Sequence, residues 1–122
     1  MINMIRGIRG AITVKKNTKE AIVTAAIRLL AEMIRSNKMK VQDIASIIFS
    51  STKDLNAEFP ARAARQMGFD LIPLFCAVEI DVPKSLKKCV RVLMHVNTGL
   101  KQKDIKHIYL EGAKTLRKEF GQ

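Results

Sequence analysis

Two hydrophobic periods divide this chain. From Met4 to Val14, "MIRGIRGAITV", residues alternate in twos. Met4, Arg6, Ile8, Ile12 and Val14 share one face, and Ile5, Gly7, Arg9, Ala11 and Thr13 share the other. The alternation predicts a strand on which Arg9 stands between two small neighbours, Gly7 and Ala11. The period then lengthens. Between Thr18 and about Ser36, the residues Ile22, Ala26, Leu29, Leu30 and Met33 recur at helical spacing. Lys19, Arg28, Glu32 and Arg35 fall mainly on the opposite side. The pattern predicts an amphipathic helix laid on a sheet, with Asn17 as its N-cap and Glu20 as the reciprocal capping partner.

The stretch "SNKMKVQD" reads as a turn with one helical turn, and "IASIIFSST" (Ile44 to Thr52) as a buried strand. Pro60 suits the first turn of a helix running to about Met67, and Gly68 stops it. "LIPLFCAVEI" reads as a strand followed by the loop "DVPKS". "KCVRVLMHV" is a further strand, with Val90, Val92, Met94 and Val96 on one face and Arg91, Leu93 and His95 on the other. "IKHIYLEG" is the last strand, and "AKTLRKEFGQ" is a short helix or tail. The order β-α-β-α-β-β-β, without linkers or repeats, predicts one α/β or α+β domain over residues 1–122. It does not set the order of strands in the sheet.

Composition narrows the partners only slightly. The chain has 122 residues, 48% of them hydrophobic but only 5% aromatic, so aliphatic side chains must build the core. Its 22 Lys and Arg against 11 Asp and Glu give +11, a field that attracts anions of any kind. No apolar run approaches the roughly 20 residues that span a bilayer. The start lacks the apolar core of a secretory signal, and Cys76 and Cys89 lack metal-type spacing and read as reduced thiols. A soluble, cytoplasmic protein without membrane attachment is expected.

No GxSxG elbow, P-loop, GxGxxG or HExxH occurs, and His95 and His107 are isolated, lie in strands and read as packing or edge residues. What remains is Arg9, Glu79, Arg91 and Tyr109, polar groups on four separate apolar strands. Each alone fits an ordinary surface or packing role. Together they cost several kcal/mol near a core unless a partner or ligand compensates, roughly the penalty of burying unpaired charge. Two cations, one anion and a phenol suit a dicarboxylate.

At these residues the chain becomes recognisable. "MIRGIRGAITV", "DLNAEFPARAAR", "CAVEIDV", "LKKCVRV" and "HIYLEGAKTLR" resemble, in the same order, the motifs of the AroH class of chorismate mutase. The resemblance covers residues 4 to about 117. It implies a mixed sheet with helices packed on it, three chains forming a pseudo-α/β barrel, and conversion of chorismate to prephenate on the route to phenylalanine and tyrosine. That intramolecular [3,3] rearrangement needs no cofactor, metal or nucleophile.

The resemblance also assigns roles. Arg91 would donate to the ether oxygen as negative charge develops there, and Arg9 would bind the enolpyruvyl carboxylate with help from Tyr109. Glu79 would accept the ring hydroxyl and favour the positive ring system, and Cys76 would be a weak polar contact to that hydroxyl. Phe59, Ala61, Arg62, Leu74, Phe75 and Cys76 would wall the cleft from a neighbouring subunit, with Leu116 and Arg117 closing its entrance. Phe75 stands where the family has a smaller, often hydroxylated residue, and Arg62 replaces a family lysine. The loop "RQMGFDLIP" is one residue shorter than in better-known members. A basic nucleic-acid-binding domain is the rival reading, but it wants stacked aromatics or a basic stripe that this sequence lacks. A non-catalytic scaffold would have no need of all four polar groups.

Overall fold

The computed structural model describes residues 3–120, with the side chains of 118–120 excepted. Of the tail expected over 118–122, Gly121 and Gln122 lie outside the described residues. Five strands form one mixed sheet: β1 (Met4–Thr13), β2 (Ile44–Ser51), β3 (Leu74–Val78), β4 (Cys89–Thr98) and β5 (Ile108–Leu110). Their order across the sheet is β3-β2-β4-β1-β5. β4 runs antiparallel to both β1 and β2, while β3 and β5 are parallel edge strands. Three helices complete the chain: α1 (Lys19–Ser36), α2 (Arg62–Gln66) and α3 (Thr115–Phe120). The α+β architecture matches the order of elements expected from hydrophobic period.

α1 covers one face of the sheet. Ile22, Ala26, Leu29, Leu30 and Met33 are buried against Ile8, Ile12, Ile47, Phe49, Val90, Val92, Met94 and Val96. Gly10 lets the helix come close, because a Cβ there would lie 2.4 Å from Met33 Sδ and 3.1 Å from Leu29 Cδ1. Of the two glycines in "RGIRG", Gly10 therefore serves helix packing on the face away from Arg9. Gly10→Ala should lower unfolding stability by about 1–3 kcal/mol, the usual cost of overpacking. A urea midpoint at fixed protein concentration measures it; an unchanged midpoint would mean that Met33 swings aside freely.

Three local expectations need correction. The N-cap is Thr18, whose extended backbone lets its hydroxyl accept from the Ala21 N–H at 3.1 Å. Asn17 is engaged elsewhere. Its Oδ1 accepts from the N–H groups of Asn56 and Ala57, both at 3.0 Å, and so ties the loop after β2 to the start of α1. The strand expected over 71–80 is only Leu74–Val78, because Pro73 has no N–H to donate and Leu71 projects into solvent.

The last strand is also short, Ile108–Leu110 rather than 105–112. Before it, the buried Asn37 side chain takes the place of a neighbouring strand. Its Oδ1 accepts from Lys106 N–H at 2.8 Å, and its Nδ2 donates to Lys106 C=O at 2.8 Å. After it, Glu111 turns into the left-handed region with φ 54° and leads into a 3-10 turn over Glu111–Lys114.

Candidate active site

The sheet face turned away from α1 carries the polar groups. Register places them in rows. One row runs Ala77, Ser50, Arg91, Ala11 and Tyr109, crossing all five strands. The adjacent row runs Phe75, Ile48, Leu93 and Arg9. Alternation puts each row on one face, so Arg91 and Tyr109 flank Ala11 and Arg9 stands two residues along the same strand. Ala11 is thus a small floor between Arg91 and Tyr109, while the Gly7 position is partly filled by Leu93, whose Cδ1 would lie 3.3 Å from a Cβ there.

Glu79 enters this face from just past β3. Its N–H donates to Ser51 C=O at 2.9 Å, which continues the β2 pairing by one residue. Its carboxylate accepts a 2.5 Å hydrogen bond from Ser50 Oγ and lies 3.7 Å from Arg91 Nε. Both side chains are about three-quarters buried. Arg91 Nε is buried with no hydrogen-bond partner, and it is the sole such side-chain nitrogen or oxygen among the described residues. A buried donor without an acceptor is costly, by roughly 1–3 kcal/mol.

Tyr109 is only 2% exposed and packs with Ala11, Cys89, Ala113 and Leu116 in a small second core, against which Leu86 also rests. The Arg117 guanidinium lies 5.8 Å from the Tyr109 ring centroid, a cation–π distance. The structure therefore brings Arg91, Glu79, Tyr109, Leu116 and Arg117 to one region, with Arg9 in the next row. Arg91 itself is anchored from the start of β4. There Asp54 accepts from Lys88 N–H through both carboxylate oxygens, at 3.1 and 3.0 Å, and Thr52 Oγ1 accepts from Cys89 N–H at 3.0 Å.

The other expected residues lie elsewhere in the same chain. Phe59 and Cys76 line a cavity of about 500 Å³ with Leu55, Pro60, Ala77 and Val78, and neither Arg91 nor Glu79 is part of its lining. Ala61, Leu74 and Cys76 pack against the main core, on the α1 side of β3. Burial pushes the Cys76 thiol up, opposed in part by the Ala61 backbone, so it is poorly suited to act as a nucleophile. Arg62 pairs with Glu58 at 3.6 Å and is more than half exposed. Phe75 is different: it stands on the Arg91 face at the sheet edge, 65% exposed.

One group at the site, Ser50, is not singled out by the sequence, and another, His107, reads there as a strand residue in a packing or edge position. Ser50 holds Glu79, and its alternation with Ile48 on β2 was the signal that puts it on this face. His107 is not in a strand. It directly precedes β5, and its Nδ1 accepts from the Arg9 backbone N–H at 2.9 Å.

A permanent cation whose buried Nε lacks a hydrogen-bond acceptor, backed by a carboxylate, has the chemistry suited to an oxyanion. Comparisons with known proteins give that site its family. The family described as Chorismate mutase type I matches residues 5–120. The chain is 45% identical over 115 residues to a chorismate mutase AroH of Bacillus subtilis, covering 93% of this chain and 91% of that one. It is 46% identical over 115 residues to the chorismate mutase AroH of Thermus thermophilus, covering 93% and 94%. A solved chorismate mutase from Clostridium thermocellum superposes with a TM-score of 0.89 at 56% identity, over 90% of this chain and 98% of that one. The chain belongs to the chorismate mutase type I family.

Proposed function

We infer that the protein converts chorismate to prephenate, a step in aromatic amino acid synthesis, and that Arg91 is its principal electrostatic group. The observation that carries the reading is the buried Nε of Arg91, which has no hydrogen-bond acceptor although it sits in an ion pair with Glu79. In the rearrangement the ether C–O bond breaks ahead of C–C bond formation. Negative charge therefore grows on the ether oxygen and positive charge on the ring. Arg91 donates to that oxygen, and its planar fork can serve a carboxylate of the substrate at the same time. Glu79, held by Ser50, accepts the ring hydroxyl and faces the developing positive charge. Arg9 takes the enolpyruvyl carboxylate, with the Tyr109 hydroxyl beside it. Fixing both ends of the side chain over the ring removes rotational freedom before the reaction rather than during it. No proton is transferred.

Three chains assemble with their sheets inward, and each active site lies between two of them. The support is the uncovered sheet face, where Ile5, Ile48 and Phe75 are exposed and Leu93 is only partly buried. Phe59, Ala61, Arg62, Leu74, Phe75 and Cys76 of one subunit then face Arg9, Glu79, Arg91 and Tyr109 of the next. Leu116 and Arg117 close the entrance over Tyr109. The protein works in the cytoplasm as one domain. No helix among the described residues is long and apolar enough to cross a membrane.

Purified protein should consume chorismate saturably, without added metal or cofactor, and release prephenate. A folded protein that leaves chorismate untouched rejects the assignment. The +11 charge adds a second readout. Because the substrate is a dianion, kcat/KM should fall several-fold between roughly 20 and 500 mM salt, as screening shortens the reach of the field. An ionic-strength-independent kcat/KM would remove the steering role and leave the chemistry intact.

A further inference from the structure

β1 has two neighbours over only part of its length. β4 pairs with it from Met4 to Thr13, whereas β5 pairs only with Gly10, Ala11 and Ile12. Arg9 is the first residue past the point where β5 runs out. Its N–H is directed to the β5 side, where the next acceptor is a side chain, His107 Nδ1 at 2.9 Å. Asn37 grips the peptide of Lys106 immediately before, through both its N–H and its C=O, so the imidazole is presented from a fixed backbone. The Asn37 side chain is in turn tied to Met33 C=O of α1 at 2.9 Å. A chain of contacts therefore runs from the main helix through Asn37 and His107 to the backbone of Arg9.

We propose that His107 is a positioning residue for substrate binding: its unprotonated Nδ1 replaces the missing β5 carbonyl and fixes the backbone from which the Arg9 side chain reaches the substrate carboxylate. The inference rests on the role given to Arg9 above. It requires a neutral imidazole carrying its proton on Nε2, since a doubly protonated ring has no acceptor. The surroundings keep it neutral. Among the described residues, the charged groups lining the adjoining cavity are Lys103 from the turn before β5, Lys106 from the same segment and Arg117 from α3, and no carboxylate is among them. Arg9 faces the ring from β1. Burial first, and Arg9 second, hold the His107 pKa below its ordinary 6.5. As pH falls through this lowered pKa the ring gains a proton on Nδ1, the acceptor becomes a donor, and the Arg9 amide loses its partner. The rearrangement itself transfers no proton, so an acid limb in substrate binding would report this switch.

The test compares four proteins by kcat and KM for chorismate between about pH 5 and pH 8, a span that covers histidine titration. Wild type should show KM rising toward acid with kcat nearly constant. His107→Asn places Oδ1 where Nδ1 stands; it should keep KM near wild type and remove the acid limb. His107→Leu should raise KM about three- to tenfold at all pH values, the worth of one hydrogen bond. Arg9→Ala should raise KM further. An unchanged KM in His107→Leu beside a raised KM in Arg9→Ala overturns the positioning inference alone. An unchanged KM in Arg9→Ala removes the Arg9 reading and this inference with it. If His107→Leu fails to fold, the folded His107→Asn protein decides: an acid limb that persists there overturns the proposal.

Discussion

Arg91→Lys should lose about 10²- to 10³-fold in kcat, the penalty typical of removing one preorganised donor from an oxyanion site. Lysine keeps the positive charge, so the substrate dianion is still attracted and KM should change far less. What is lost is geometry. The Arg91 backbone is held by its pairing with Ser50 and Ala11, and its guanidinium by the charge of Glu79 at 3.7 Å, whereas an ammonium on a flexible stem presents no planar fork. Arg91→Ala should fall further, because Glu79 then keeps its negative charge near the ring without a cation to oppose charge on the ether oxygen. Neither substitution touches the α1 core, since Arg91 stands on the other face of β4. Circular dichroism and the oligomeric state should match wild type. Turnover by Arg91→Lys within a few-fold of wild type would show that charge alone suffices.

The partition between what period and spacing reveal and what they hide follows from the range of the forces involved. Alternation in "MIRGIRGAITV" and "KCVRVLMHV" is local, and it correctly put Arg9 and Ala11 on one face of β1 and Arg91 with Leu93 on one face of β4. That Arg91 lies beside Ala11, with Tyr109 beyond it, depends on the order β3-β2-β4-β1-β5. That order places β4, fourth in sequence, at the centre, and no local pattern encodes it. Where a side chain imitates backbone, periodicity fails altogether. Asn37 satisfies the Lys106 peptide and His107 satisfies the Arg9 amide, so the last strand stops short of the expected residues although "IKHIYLEG" is apolar enough to continue. Asn17 misled for a similar reason, because its acceptor serves the loop at Asn56 and the cap passes to Thr18. The ligand was legible only through family motifs; the charges alone specify an anion.

If the sites are shared between subunits as proposed, Ile48→Asp should convert the protein into a folded 13.7 kDa monomer with turnover reduced at least about 100-fold, because half of each site is withdrawn at once. Ile48 is not part of the core under α1. It is 37% exposed on the opposite face, in the row between Phe75 and Leu93, so a carboxylate there stays hydrated in the single chain. In a trimer with its sheets inward, three such carboxylates would be desolvated together, at a cost of several kcal/mol per ion before their mutual repulsion is added. Association should therefore fail while the chain remains folded. The loss of activity follows from where the second wall sits. Within one chain Phe59 and Cys76 line a cavity of their own, whose lining does not include Arg91 or Glu79, so on the proposed trimer a lone subunit lacks the second wall of its site. Size-exclusion chromatography and circular dichroism on the same sample separate the outcomes. An inactive, folded monomer supports sites shared between subunits. A fully active monomer would place the whole site in one chain, and an active trimer would remove Ile48 from the interface.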